Sequence, residues 1–123
     1  MNNFVQFDLQ LKSNLSSKEI LDRLGAALAL PFRLDESYDS EGLEIFEAVV
    51  MGHQIRFCPL GIIDDQYWYS LSCRQGDKLD DMVLDDFKLV DFGNTYSLYL
   101  KEVTKLDWTV MTEDDFARIE QIV

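Results

Sequence analysis

Hydrophobic and polar side chains alternate at the start of the chain: Val5, Phe7, Leu9 and Leu11 are separated by Gln6, Asp8 and Gln10. A period of two predicts a half-buried β-strand. The pattern breaks at residues 14–17. Ser16 with Glu19 three positions on gives a capping-box signature, and Ile20, Leu21, Leu24, Ala27 and Leu28 recur at helical spacing until Pro31. This predicts a helix with one apolar face. Residues 32–42 are polar and acidic and read as an exposed connection. Segments 43–51, 54–60 and 67–73 are rich in strand formers, with turn residues at Gly52-His53 and across 61–66, and together predict a three-stranded meander. In its last strand Tyr67, Tyr69, Leu71 and Cys73 share one face, with Trp68, Ser70 and Ser72 on the other.

Residues 74–87 hold five aspartates around the apolar island 82–84 and read as a long loop with a helical turn in it. Segments 88–92 and 95–103 flank Gly93-Asn94, a pair suited to a II′ turn, which predicts a second hairpin. Thr112 then caps a final helix. Glu113, Asp114 and Asp115 fall in its first turn, where the helix dipole favours negative charge, and Phe116, Ile119 and Ile122 share a face. The order is strand, helix, three strands, two strands, helix. It predicts one α+β domain over residues 1–123: a mainly antiparallel sheet of five to six strands, with a helix from the N-terminal half and a C-terminal helix packed on it.

Charge changes this picture more than composition does. Eleven basic residues against 23 acidic ones give a net charge of -12, which repels nucleic acid and anionic lipid and favours basic partners. The first twelve residues contain neither a basic segment nor a continuous apolar one, and no run approaches the roughly 18 apolar residues of a membrane span. A cytoplasmic protein is expected, without membrane or nucleic-acid partners. Cys58 and Cys73 sit in strand-like segments and read as buried thiols, not as a disulfide.

The residues offer little catalytic chemistry. The lone histidine, His53, falls at a predicted exposed turn, and neither it nor the two cysteines are spaced as zinc ligands. The loop 35–46 has oxygen ligands at alternate positions, but Ser40 stands where a calcium loop needs glycine and Phe46 where it needs a bidentate acid. The glycines are scattered singly, so no phosphate-cradling loop exists. The expectation is a binding protein with no cofactor, no metal and no catalytic residue. An enzyme is a third class, which a pocket with two convergent carboxylates would favour.

What stands out is where the acids lie. Residues 35–47 hold six carboxylates and no base, and residues 77–91 hold six against Lys78 and Lys88. Such runs, set in loops above a sheet, focus a negative field that steers a basic partner, although a solvated rim would look the same in sequence. Candidate partner-binding residues are Asp35, Glu36, Tyr38 and Asp39 in the first run and Asp77, Asp80, Asp81, Asp85 and Asp86 in the second. Asp64 and Asp65 in the meander turn join them. Affinity also needs a desolvated anchor. Tyr38 is one candidate, and Trp68 is another if it lies on the surface instead of beneath a helix.

In size, mixed α/β pattern, the acidic runs 35–47 and 77–91 and the lack of catalytic equipment, the chain resembles the small acidic immunity proteins of contact-dependent growth inhibition and related bacterial polymorphic toxin systems. The resemblance lies in overall character and not in a motif. It implies an antitoxin whose partner is a cognate basic toxin domain, such as a nuclease, with carboxylates such as Asp77, Asp80, Asp81, Asp85 and Asp86 covering its cleft. A second resemblance is to acidic chaperones of type III secretion effectors, similar across residues 20–45 with Leu24-Gly25 and Leu30-Pro31-Phe32. That reading implies a dimer with apolar grooves, whereas an immunity protein needs one acidic face and can act as a monomer.

Overall fold

The computed structural model describes residues 2–34, 44–50, 53–75 and 87–122. It is an α+β arrangement, with β1 (Asn2–Ser13), α1 (Ser17–Leu28), β2 (Arg33–Leu34), β3 (Phe46–Val50), β4 (His53–Ile63), β5 (Gln66–Gln75), β6 (Phe87–Asp91), α2 (Gly93–Thr104), β7 (Thr109–Val110) and α3 (Glu113–Ile122). The strands form one sheet in the order β2-β3-β4-β5-β1-β6, and β7 also pairs with β1. Among the described residues, the strand pairings are antiparallel except β1 with β6.

The alternation along β1 sets the core. Its register with β5 places Phe7 opposite Cys73, Leu9 opposite Leu71 and Leu11 opposite Tyr69. Odd positions of both strands therefore share a face. Phe57 of β4 lies opposite Leu71, and its ring stacks on Tyr69 at 5.2 Å. Ile20 and Leu24 of α1, Leu100 of α2 and Trp108 close the same cluster. Helix α1 starts as its capping box requires: Ser16 Oγ accepts from the Glu19 amide at 3.3 Å, and Glu19 Oε1 accepts from the Ser16 amide at 3.4 Å. It stops at Ala29, which is left-handed at φ 54° and donates its amide to the Gly25 carbonyl. Pro31 follows closely, as is common just beyond a helix end.

The expected second hairpin is not present. Residues 87–91 are a strand, but Gly93 opens α2 where a turn and a returning strand were read. Asp91 Oδ1 accepts the Gly93 amide at 2.8 Å, and the Tyr96 amide donates to the Phe92 carbonyl at 2.9 Å, so the first turn winds at once. A Cβ on Gly93 would lie 3.1 Å from Asp91 Oδ1 and 3.4 Å from Val110, so this glycine serves close packing, not a hairpin. The buried positions Gly93, Ser97, Leu100 and Thr104 follow helical spacing. Only one of them is a large apolar residue, while Tyr96, Leu98 and Leu100 imitate a strand. At the far end the Thr104 hydroxyl donates to the Leu100 carbonyl and accepts from Trp108 Nε1 at 3.2 Å, and Arg23 of α1 donates to the Thr104 carbonyl at 3.1 Å.

The other face of the sheet carries polar even-numbered positions, and α3 approaches it near β4. Trp68 points there and is fully buried. Its indole N–H donates to Gln10 Oε1 at 2.9 Å, and Gln10 Nε2 donates to Asp115 Oδ2 on α3. The same carboxylate oxygen accepts the amide and hydroxyl of Thr112, both at 2.9 Å, while Thr112 Oγ1 accepts the Asp115 amide. The expected Thr112 cap is thus joined through Gln10 to β5. Burial alone would raise the Asp115 pKa, but the hydrogen bonds from Thr112 and Gln10, aided by Lys12, outweigh it and hold the carboxyl below its ordinary value.

The β4–β5 connection is a two-residue turn, Asp64-Asp65, between the paired Ile63 and Gln66. Both aspartates have positive φ, 52° and 64°, as a type I′ turn requires.

Two stability predictions follow from these contacts. A carboxylate whose pKa is lowered on folding stabilises the fold above its unfolded pKa, about 3.9, and the contribution is lost as pH falls through the lower folded value. Asp115→Asn is expected to cost about 1 kcal/mol at neutral pH, typical of a lost cap interaction. Urea denaturation at neutral pH and at about pH 3 would show that gap narrowing in acid. Replacing Asp64-Asp65 by Asn-Gly, the preferred I′ pair, is expected to raise stability by about 0.5–1 kcal/mol, read as a melting temperature higher by a few degrees.

Candidate functional site

The β4–β5 hairpin leaves the core at Pro59. A register shift lies between Pro59 and Gly61, and Gly61 holds φ 138° with nothing within 4 Å of where a Cβ would stand. Proline lacks a ladder donor and glycine tolerates this backbone, so both suit a bulge, which bends a strand and increases its twist. Beyond it Ile62 lies opposite Tyr67, and the pair stands 70% and 49% exposed. Asp64 and Asp65 follow at the exposed tip. Lys12 Nζ approaches Asp64 Oδ2 at 3.8 Å, an exposed contact worth under about 1 kcal/mol. The tip stays acidic.

Beside this hairpin, at the start of α1, is a groove of about 390 Å3. Pro59, Ile62, Tyr67 and Tyr69 give it an apolar side; Ser16, Ser17 and the exposed Glu44 give it polar ones. The Tyr67 and Tyr69 rings are 6.3 Å apart. Tyr69 donates its hydroxyl to the Leu15 carbonyl at 2.7 Å. Burial pushes the Tyr69 phenol up, the negative ends of Tyr67 and Glu19 push the same way, and a hydrogen bond with Ser17 opposes them. Tyr69 is a neutral structural phenol. On the other side of the hairpin Gln10, Lys12, Gln66, Asp107 and Thr109 line a polar hollow of about 460 Å3.

The sequence-derived candidates divide unevenly. Asp35, Glu36, Tyr38 and Asp39, and Asp77, Asp80, Asp81, Asp85 and Asp86, lie outside the described residues. Asp64 and Asp65 stand together on the surface. Trp68 does not join them: it is buried on the α3 side with its only donor satisfied by Gln10, so the reading of a surface anchor is corrected. The exposed aromatic of this strand is its neighbour Tyr67, which the strand period had assigned to the core face. Ile62, Pro59, Glu44 and the two serines were missed. The two-residue connection was the available signal, since it pairs Ile62 with Tyr67.

Other expected chemistry is located as follows. His53 opens β4 opposite Val50 and Gln75 and is half-buried, not an exposed turn residue. Cys73 is a buried thiol, its pKa pushed up to about 11 by burial and by the Asp8 charge; Cys58 is half-buried, and burial raises it too. Neither forms a reactive thiolate near neutral pH. Among the described residues no three His, Cys, Asp or Glu side chains are placed to hold a metal ion, and no helix is long and apolar enough to cross a membrane. Compared with known proteins, the chain matches no family model, no curated protein and no solved structure.

Proposed function

We propose that this chain is a cytoplasmic immunity protein, which binds a cognate basic toxin domain, such as a nuclease, and neutralises it by covering its active cleft with an acidic surface. The observation that carries the reading is the hairpin end: Asp64 and Asp65 stand exposed on a two-residue turn beside the exposed pair Ile62 and Tyr67. In a chain of net charge -12, acids at such a tip steer a basic surface toward it. Charge alone gives rate more than affinity, and adjacent apolar side chains supply surface that contact desolvates. The acidic runs 35–47 and 77–91 extend the negative field by their sequence.

The test uses the cognate toxin domain, sought first as a basic C-terminal domain in a protein encoded beside this chain's gene. Stopped-flow mixing is expected to show an association rate that falls about tenfold or more between about 50 and about 500 mM salt. Asp64→Asn with Asp65→Asn keeps side chains that tolerate the turn while removing its charge, and is expected to slow association about 2- to 10-fold with a smaller effect on dissociation. Asp80, Asp81, Asp85 and Asp86 together changed to Asn are expected to weaken protection of cells against the toxin. A salt-independent rate, or protection unchanged in both variants, would remove the acidic surface from the mechanism.

A further inference from the structure

We infer that the groove between the β4–β5 hairpin and the start of α1 receives one large apolar side chain, flanked by arginine or lysine, from a protruding loop of the basic partner. This rests on the reading of the chain as an immunity protein and adds to it the part of the partner that docks. The apolar component follows from the hairpin wall. Ile62 is the most exposed of the large described hydrophobic residues, at 70%, and Tyr67 stands opposite it at 49%. Both border a concavity whose inner aromatic, Tyr69, already has its hydroxyl satisfied by the Leu15 carbonyl. Such a surface lacks a strong polar demand and gains from contact with carbon.

The cationic component follows from the rim. Of the residues that line the groove one is a carboxylate, Glu44, two are serines, and none is a base. Asp64 and Asp65 follow Ile62 and Ile63 at the tip of the same hairpin, and the Glu19 charge of α1 acts on the Tyr69 phenol. Of the nearby bases, Lys12 at the hairpin tip is turned to Asp64, and the exposed Lys18, next to Ser17 in the chain, does not line the groove. An incoming cation therefore meets carboxylates around an apolar seat, and an incoming anion meets repulsion.

The size suits a single anchor. About 390 Å3 is near the low end of ligand pockets and accommodates one large side chain with its stem. Because Ile62 and Tyr67 project into solvent, they are covered only by a surface broader than a small molecule, as a loop carried on a folded domain provides.

The probe is the tripeptide acetyl-Arg-Trp-Arg-amide, titrated into the full chain and followed by amide chemical shifts, with acetyl-Arg-Gly-Arg-amide and acetyl-Glu-Trp-Glu-amide as comparisons. Arg-Trp-Arg is expected to shift Ser17, Ile62, Tyr67 and Tyr69 saturably, about tenfold more tightly than either comparison. The double variant Ile62→Ser/Tyr67→Ser removes exposed side chains and is expected to abolish those shifts while keeping a dispersed spectrum. Glu44→Gln, a milder change, is expected to weaken the arginine peptide and to tighten Glu-Trp-Glu, narrowing the gap between them. Equal shifts from Arg-Trp-Arg and Arg-Gly-Arg confined to Asp64 and Asp65, or no saturable shift at millimolar peptide, would overturn the groove. Toxin binding unchanged in the double variant would overturn it too and leave the immunity reading in place. A groove that takes the peptide in a chain that neither binds the toxin domain nor protects cells would keep the groove and sink the immunity reading.

Discussion

β1 is paired along both edges, and the positions of the other elements follow from that constraint. Every backbone donor and acceptor of a buried strand needs a partner. β5 supplies one edge from Phe7 to Ser13; on the other, β6 runs parallel as far as Gln6, and the Phe92 amide donates to the Gln6 carbonyl. There the chain leaves as α2 and returns as β7, whose pairs reach Leu9 and Gln10 and whose following Met111 amide donates to the Asp8 carbonyl. One edge of β1 is thus completed by two short strands of opposite direction. α2 is the excursion that joins them, and this placement packs Gly93 against Val110.

Covering β1 on both faces has a chemical consequence. The odd face meets α1 and α2 with aliphatic and aromatic side chains, so burial alone suffices. The even face presents Asp8, Gln10 and Lys12, and a helix can close over it only if buried polar atoms find partners. Gln10 solves this as an amide with one acceptor and one donor end: Trp68 can only donate and takes the oxygen, and Asp115 as a carboxylate takes the nitrogen. Asp8 with Arg74 at 3.1 Å and Glu47 with Arg56 at 3.4 Å settle other charges of this face within the sheet.

Where local pattern and tertiary need agreed, the fold was legible in sequence. The alternation in β1, the Ser16–Glu19 box of α1 and the Thr112 start of α3 each carry their own physical cause within a few residues. α2 was misread because its buried face is made of Gly93, Ser97, Leu100 and Thr104, small or polar residues tolerated by close packing and by the Trp108–Thr104 hydrogen bond. Neither feature leaves a hydrophobic period. Of the candidate site, the exposure of Asp64 and Asp65 was legible in sequence and the burial of Trp68 was not. Trp68 sits among serines and reads as surface until Gln10, 58 positions away, and Asp115 are brought to it. Tyr67 keeps the core period of its strand, yet lies past the bulge, where the sheet end opens on the groove.

The same structure changes what the net charge means for function. Many acids are engaged in building the fold: Glu19 and Asp115 cap helices, Asp91 starts α2, and Asp8 and Glu47 pair with arginines across the sheet. Their charge contributes to the long-range field, but their geometry is already committed. Asp64, Asp65 and Glu44 are less committed, although Lys12 approaches Asp64 at 3.8 Å. At positive φ an I′ turn favours Asn, Asp or Gly, so it accounts for small polar residues at 64 and 65 but not for their charge, and Glu44 is an exposed residue outside any strand. Acids whose charge the fold does not require stand here beside apolar side chains that remain exposed. That coincidence, more than the total of -12, is the physical argument for a binding surface at this end of the sheet.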